Sequence, residues 1–175
     1  MRFLPESAST DETAVQRIVD LVNEVYAESE KGLWLEDAAR TSAAEIAGMI
    51  RAGEIAVTEH EGRIVGSVRI QRLDETTGEF GMLAADPARR GTGIGRDLVA
   101  FAERTCREWG VARIQLELLV PRTWNHPSKD FLAAWYTRLG YELTSTGTLD
   151  EAFPALAPLL ATPCDFRIYH KTLSA

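Results

Sequence analysis

Apolar side chains in the first part of the chain recur at helical spacing. The repeat runs through Val15, Ile18, Val19, Val22, Val25 and Tyr26. Because three or four positions separate most of these residues, the pattern predicts an amphipathic helix over 11–27, opened by the capping-box sequence Ser9-x-x-Glu12. A second capping box, Ser42-x-x-Glu45, predicts a shorter helix that ends at Gly53.

After Gly53 the hydrophobic period changes to two, which is typical of strands. Strands are predicted at 55–57, 64–70 and 79–85, and the short turns between them favour an antiparallel meander. The segment Asp86-Pro87 ends the third strand, because proline has no amide hydrogen to donate to a strand ladder.

In the second half of the chain, helical and strand patterns alternate. A strong helical stripe begins just after Gly91 and stops at Gly110. The later predicted elements are a strand at 114–118, a helix around 131–135, and strands at 141–145 and 165–171. With a short initial strand at 2–4, the predicted order is βααβββαβαββ, an α/β (α+β) chain in which 146–163 is a long insertion before the last strand.

Composition narrows the class of protein. A chain of 175 residues, 45% hydrophobic and 26% charged, is predicted to form a single globular domain over 1–175. The net charge of −7 disfavours binding to nucleic acid or to anionic membranes. Cys106 and Cys164 are far apart and the three histidines are scattered, so no metal site is predicted. We expect a cytoplasmic protein, because the sequence shows neither a signal peptide nor a long apolar run.

The most informative segment is the glycine-rich turn Pro87–Arg96. Glycines at 91, 93 and 95 let the backbone direct its amides toward one point, and the helix that starts there has unpaired N–H groups suited to a pyrophosphate. A P-loop is excluded because no lysine follows the glycines. A dinucleotide fingerprint is disfavoured because Arg96 stands where its third glycine would be. A turn without any ligand stays open on this pattern alone.

Two motifs resemble those of the GNAT superfamily of acyl-CoA-dependent N-acetyltransferases. Arg90-Gly91-Thr92-Gly93-Ile94-Gly95 matches its hallmark Arg/Gln-x-x-Gly-x-Gly/Ala, and the strand 79–87 before it is similar to the central strand of that family. The run 131–141 is similar to its second motif, a helix that ends in Tyr-x-x-x-Gly-Tyr/Phe. The resemblance implies a mixed, mostly antiparallel sheet of about seven strands flanked by helices.

The resemblance also implies a site for acetyl-CoA, the cosubstrate, with no metal. The fourth and fifth strands would splay into a V that holds the pantetheine arm. The residues predicted to contact it are Leu83, Ala84, Ala85, Arg90, Gly91, Thr92, Gly93, Ile94, Gly95, Arg96 and Lys129. Lys129 stands where the family often has asparagine, and it could meet a CoA phosphate instead.

Acetyl transfer to an amine requires a base for the ammonium and an acid for the departing thiolate. Glu79, eleven residues before Arg90, is the predicted base, although it could be a solvated carboxylate, and Glu117 or a water could replace it. Tyr136, four residues before Gly140, is the predicted acid, and its alternative is a buried core aromatic.

The function implied is transfer of an acetyl group from acetyl-CoA to a primary amine of a small molecule or amino acid, directly in a ternary complex. The alternatives are a non-catalytic acyl-CoA sensor and an acetyltransferase for protein N-termini or lysines. The side chains predicted to line the acceptor pocket are Trp34, Glu36, Asp37, Glu117, Trp124 and Phe153. Trp124 could simply pack under its loop, and the 146–163 insertion could form a homodimer contact.

Overall fold

One seven-stranded sheet organises the molecule. The computed structural model describes residues 1–35 and 39–173. The strands are β1 (Arg2–Phe3), β2 (Ile55–His60), β3 (Arg63–Arg72), β4 (Thr77–Ala85), β5 (Arg113–Pro121), β6 (Glu142–Gly147) and β7 (Cys164–Thr172). The helices are α1 (Glu12–Ser29), α2 (Ala43–Arg51), α3 (Ile94–Glu108), α4 (Pro127–Arg138) and the four-residue α5 (Leu149–Ala152). The predicted fold class and element order are confirmed, with α5 as an addition inside the insertion.

The strands lie in the order β1-β2-β3-β4-β5-β7-β6. All neighbours are antiparallel except β4 and β5, which are parallel and pair only from Thr77–Glu79 to Arg113–Gln115. Beyond Glu79 and Gln115 the ladder stops while both strands continue. The two strands therefore open into a cleft at the middle of the sheet, as the resemblance implied.

The two faces of the sheet carry separate cores. In β2, Ala56 belongs to the cluster with α3 and α4, whereas Ile55 and Val57 belong to the cluster with α1 and α2. This alternation is the expected consequence of the strand period of two. Each core buries the apolar stripe of its helices, which is what holds the elements around the cleft in place.

Strand β4 contains a bulge that the hydrophobic pattern did not predict. Its partner β3 advances two positions, from Ser67 to Arg69, while β4 spans three, from Gly81 to Ala84. Met82 takes φ +48°, a left-handed conformation that is uncommon for a residue with a side chain. As a result Phe80 packs with α3 and α4, whereas Met82 and Ala84 pack with α1 and α2.

The two predicted capping boxes have different outcomes. Ser42 and Glu45 form the predicted box at the start of α2. At α1 the prediction was wrong: Ser9 lies in a 3-10 turn, and Asp11 caps the helix by accepting from the amides of Thr13 and Ala14. Serine and aspartate are both good N-cap residues, and Asp11 is the one that directly precedes the first residue of α1.

The insertion folds back over the segment that follows α1. Leu35 N–H donates to the Leu159 carbonyl at 2.8 Å, and Ala161 N–H donates to the Leu33 carbonyl at 2.9 Å. A small core that includes Leu33 and Phe166 lies beneath this pairing. Within 1–35 and 39–173, no helix has both the length and the apolar character needed to cross a membrane.

Candidate functional site

The cleft between β4 and β5 connects two cavities. The larger, of about 1,040 Å³, lies on the side of the glycine-rich turn, and the smaller, of about 750 Å³, lies between α1, β4 and the insertion. Both cavities are lined by Tyr26, Ala27, Glu30, Lys31, Glu117 and Leu119. A ligand in one cavity can therefore meet a ligand in the other beside Glu117.

The glycine-rich turn borders the larger cavity at the start of α3. Gly91 and Gly93 have φ of 82° and 91°, and Gly93 is the residue that precedes the helix. This conformation suits glycine, and it leaves the first amides of a fifteen-residue helix at the cavity edge. With the helix dipole, these amides form a site for an anionic group such as a pyrophosphate.

The predicted cofactor residues divide into two groups. Those that line the larger cavity are Leu83, Ala85, Arg90, Ile94, Gly95 and Lys129. Ala84 is fully buried and points into the core, as its place next to the bulge requires. Thr92 donates its hydroxyl to the Arg89 carbonyl at 2.7 Å, and Arg96 is exposed near Asp97. Gly91, Thr92 and Gly93 form the turn itself and are not among the residues that line the cavity.

The bulge at Met82 sets the position of the next peptide. The backbone of Leu83 lies close to the hydroxyl of Tyr26, a residue of α1 that lines both cavities. Burial raises the pKa of Tyr26 to about 12; the Arg40 cation opposes this rise, and the Glu30 charge adds to it. The Arg40 guanidinium lies over the Tyr26 ring, 5.1 Å from its centroid. Leu83 thus lies in the wall of the larger cavity, beside Tyr26.

Two carboxylates lie next to each other where the β4–β5 ladder ends. Glu79 accepts hydrogen bonds from Gln71 Nε2 at 2.6 Å and from Gln115 Nε2 at 2.9 Å. Glu117 accepts a longer one, 3.4 Å, from the same Gln115 amide. Burial and the negative charge of Glu79 raise the pKa of Glu117 to about 7. Of the two carboxylates, Glu79 lines the smaller cavity and Glu117 lines both.

Tyr136 lies in the wall of the larger cavity, on α4. Its ring packs against Phe80, Trp135 and Tyr141 at centroid distances of 6.0, 4.9 and 6.0 Å. Burial, with a smaller effect from Tyr26, raises the pKa of Tyr136 well above its ordinary value. The side chain is thus both a core aromatic and a neutral hydroxyl at the cavity, able to donate a proton or a hydrogen bond.

Lys129 is buried and does not extend into solvent. Its Nζ lies 2.8 Å from Glu30 Oε1, and Glu30 Oε2 accepts a second hydrogen bond from Trp34 Nε1 at 2.6 Å. This ion pair joins the end of α1 to the start of α4 across the cleft. The predicted contact between Lys129 and a CoA phosphate stays a prediction.

The predicted acceptor residues lie in different places. Trp34 and Phe153 line the smaller cavity together with Glu117. Trp124 lines neither cavity: it stacks on His126 at 5.2 Å and covers Gly32, which accords with packing under its loop. Glu36 and Asp37 lie outside the described residues.

Several functional candidates were missed in the sequence. Tyr26 looked like the last member of the α1 core stripe, and nothing in the periodicity marks its hydroxyl. Gln71 and Gln115 position Glu79 from two neighbouring strands, a contact that becomes visible only once the sheet register is known. Across the described parts of the chain, no group of three or more His, Cys, Asp or Glu side chains is placed to bind a metal.

Comparison with known proteins identifies the family. The model of the Acetyltransferase (GNAT) family matches residues 16–141, which is most of the chain. No curated protein matches the sequence. Three similar solved structures are Mycobacterium tuberculosis Rv2747 in complex with CoA and NLQ, an aminoglycoside 6'-N-acetyltransferase complexed with coenzyme A, and the ribosomal-protein-alanine N-acetyltransferase of Brucella melitensis.

These three structures share the fold at low sequence identity. The mycobacterial protein is 20% identical with a TM-score of 0.67, over 99% of this chain and 98% of its own. The aminoglycoside enzyme is 16% identical with a TM-score of 0.70, over 94% and 93%. The Brucella enzyme is 18% identical with a TM-score of 0.68, over 98% of both chains. The three likenesses show a shared fold, and the family match over residues 16–141 shows that the chain belongs to the GNAT acetyltransferase family.

Proposed function

We propose that the protein transfers an acetyl group from acetyl-CoA to a primary amine of a small molecule or amino acid, directly in a ternary complex and in the cytoplasm. The observation that carries the proposal is the position of Glu117 between the two cavities, with its pKa raised to about 7. A base near the working pH is suited to take a proton from an ammonium group.

The larger cavity has the groups that acetyl-CoA requires. The amides at the start of α3 and the nearby Arg90 suit the pyrophosphate. Beyond Glu79, the edge of β4 that faces β5 is no longer paired with that strand, and the amides of the pantetheine arm would bind there as an added strand. The Leu83 amide, beside the Tyr26 hydroxyl, would then donate to the thioester oxygen. Acetyl-CoA supplies the activated acyl group.

The chemistry proceeds with the residues at the junction. Glu117, held next to Glu79, accepts a proton from the bound ammonium, directly or through a water, and the neutral nitrogen attacks the thioester carbon. The oxygen of the tetrahedral intermediate gains negative charge and receives the Leu83 hydrogen bond. The C–S bond then breaks, and Tyr136 gives its proton to the thiolate. The positively charged nitrogen of the intermediate gives up its second proton, directly or through water, and this proton restores the Tyr136 hydroxyl as the neutral amide forms.

The proposed base differs from the sequence prediction, which named Glu79 as the base and Glu117 as its alternative. Both oxygens of Glu79 already accept short amide hydrogen bonds, whereas Glu117 accepts only one long one and borders both cavities. We therefore propose Glu117 as the proton acceptor, with Glu79 as the neighbouring charge that raises its pKa. Two of the similar proteins are N-acetyltransferases by name, which supports an amine as the acceptor.

The test is amine-dependent release of free CoA thiol from acetyl-CoA, measured with a panel of small amines, amino acids and lysine peptides. We expect thiol release that depends on both substrates. Binding of acetyl-CoA without thiol release for any amine would favour the sensor alternative. Release only with peptides would favour the protein-acetylating alternative.

A further inference from the structure

The smaller cavity has a wall of exposed apolar side chains. Four large apolar residues that keep between 39% and 51% of their surface exposed line this one cavity: Leu35, Phe153, Leu156 and Leu159. Scattered apolar residues are normal on a protein surface, but a contiguous exposed patch marks a place where another apolar group binds. The patch forms one side of a concave site and not an open face.

The apolar wall is supported by regular hydrogen bonding. Leu35 is joined to Leu159 through the backbone at 2.8 Å, and Trp34 forms a bridge with Leu160. Phe153 packs edge-on against Phe166, with 5.6 Å between the ring centroids. The apolar side chains of the wall are therefore held in place by backbone pairing between the insertion and the segment after α1, and by the small core next to it.

The other side of the cavity is polar. Some of its charged groups are already paired with an opposite charge or an aromatic ring, and others have only neutral hydrogen-bond partners. Arg69 is held by Glu54 at 2.7 Å, and the Arg40 guanidinium lies over the Tyr26 ring. Glu30 is neutralised by Lys129, and Lys31 lies beside it at the rim. The negative groups at the floor are Glu79 and Glu117, whose partners are neutral amides. A cationic nitrogen is thus complementary to the floor, at the place where acetyl transfer would occur.

We infer that the acceptor is a primary amine carried on a bulky apolar group, such as an arylalkyl or branched alkyl amine. The ammonium group lies at Glu79 and Glu117, and the apolar group covers the Leu35, Phe153, Leu156 and Leu159 wall. This inference rests on the proposed N-acetyltransferase function and names its substrate class. A strongly hydrophilic amine would lose hydration against the wall without covering its apolar surface in return.

The first experiment compares kcat/KM for 2-phenylethylamine and isoamylamine with that for ethanolamine, putrescine and glucosamine. Because even one methylene in an apolar pocket changes specificity about 10-fold or more, the apolar amines should be favoured by at least about tenfold. An equal or higher kcat/KM for the hydrophilic amines would overturn this inference and leave the proposed N-acetyltransferase function standing. If acetyl-CoA binds but no amine releases thiol, the proposed function fails, and this inference fails with it.

The second experiment changes the wall itself. Phe153→Ser and, independently, Leu156→Ser should raise KM for 2-phenylethylamine about fivefold or more while KM for acetyl-CoA stays within about twofold. Leu143→Ser is the matched control, because Leu143 is exposed to a comparable degree, 49% against 41% for Phe153, and lies on β6 outside both cavities. Melting curves identify any variant that has lost its fold, and the other wall variant then decides.

The wall could instead be covered by a second copy of the chain, and sedimentation velocity tests this. Wild type and the wall variants are compared at the concentration used in the assays. An unchanged oligomeric state with a selective rise in amine KM supports the inference. A dimer that dissociates in Phe153→Ser, with amine preference unchanged, would overturn it and assign the wall to a dimer contact.

Discussion

At the scale of single residues, the main finding is the shifted pKa of the Glu117 carboxyl group. A glutamate ordinarily loses its proton near pH 4.5, but burial and the adjacent Glu79 raise the pKa of Glu117 to about 7. The raised value favours the protonated form, so the base form increases as pH rises through 7. We therefore expect kcat/KM to rise with pH across a limb centred near 7.

Two variants separate the roles of the carboxylates. Glu79→Gln removes the neighbouring charge, so the pKa of Glu117 should fall and the limb of the pH–rate profile should move to lower pH. Glu117→Gln should lower kcat/KM and abolish the limb. If Glu117→Gln keeps the limb and Glu79→Gln loses it, Glu79 is the base and our assignment is reversed.

Tyr136 should act through its hydroxyl and not through its ring. Tyr136→Phe keeps the packing against Phe80, Trp135 and Tyr141, so the melting temperature and the affinity for acetyl-CoA should be nearly unchanged. Loss of a general acid typically costs about 10²–10⁴-fold in rate, and this loss should appear in kcat. A Tyr136→Phe enzyme with wild-type kcat would exclude the hydroxyl from the rate-limiting chemistry.

At the scale of elements, the buried pair between Glu30 and Lys129 ties α1 to α4. Glu30→Ala leaves the Lys129 ammonium, which is only 3% exposed, without its anion. The free energy of unfolding should fall by about 3–5 kcal/mol, and Lys129→Met in the same chain should recover much of that loss. Urea titration followed by tryptophan fluorescence measures both changes.

An exposed ion pair serves as the control for this measurement. Arg2 and Glu59 lie 2.9 Å apart, and their side chains keep 54% and 39% of their surface exposed. Glu59→Ala should change the free energy of unfolding by less than about 1 kcal/mol. A Glu30→Ala variant that is no less stable than Glu59→Ala would show that α1 and α4 are held by apolar packing alone.

Elements with a strong hydrophobic period were predictable, and those set by tertiary contacts were not. The helix after Gly93 and the strand before Pro87 are marked by residues whose backbone chemistry limits where elements start and stop. The β4 bulge at Met82 has no such marker, because a left-handed methionine is enforced by its surroundings. The pairing of 33–35 with 159–161 joins distant segments that lack any periodicity.

The same distinction applies to the site. The glycine-rich turn, Glu79 and Tyr136 were accessible because they lie at fixed spacings within the motifs that resemble the family. Tyr26 could not be identified in this way, because a tyrosine at the end of an apolar helical stripe gives the same sequence pattern whether its side chain faces the core or a cavity. The raised pKa of Glu117 depends on Glu79, 38 positions earlier in the sequence and close only through the parallel pairing of β4 and β5.

At the scale of the whole molecule, one break in the sheet produces the functional arrangement. The β4–β5 ladder ends after Glu79 and Gln115, and the opening joins the larger cavity, with its glycine-rich turn, to the smaller cavity, with its apolar wall. If acetyl-CoA and an amine bind as we propose, both substrates are present at once, with their reacting atoms beside Glu117. Such an arrangement favours direct transfer without an acetylated protein.

The most direct measurement is a single-turnover reaction analysed by mass spectrometry of both the protein and the small molecules. The enzyme, in excess over acetyl-CoA, is mixed with 2-phenylethylamine, putrescine or glycine, or with no amine. With an accepted amine, we expect N-acetylated product and free CoA in equal amounts. Without amine, the protein mass should stay unchanged and acetyl-CoA should stay intact. An acetylated protein that forms without amine and then transfers its group, or bound acetyl-CoA that no amine consumes, would contradict the account.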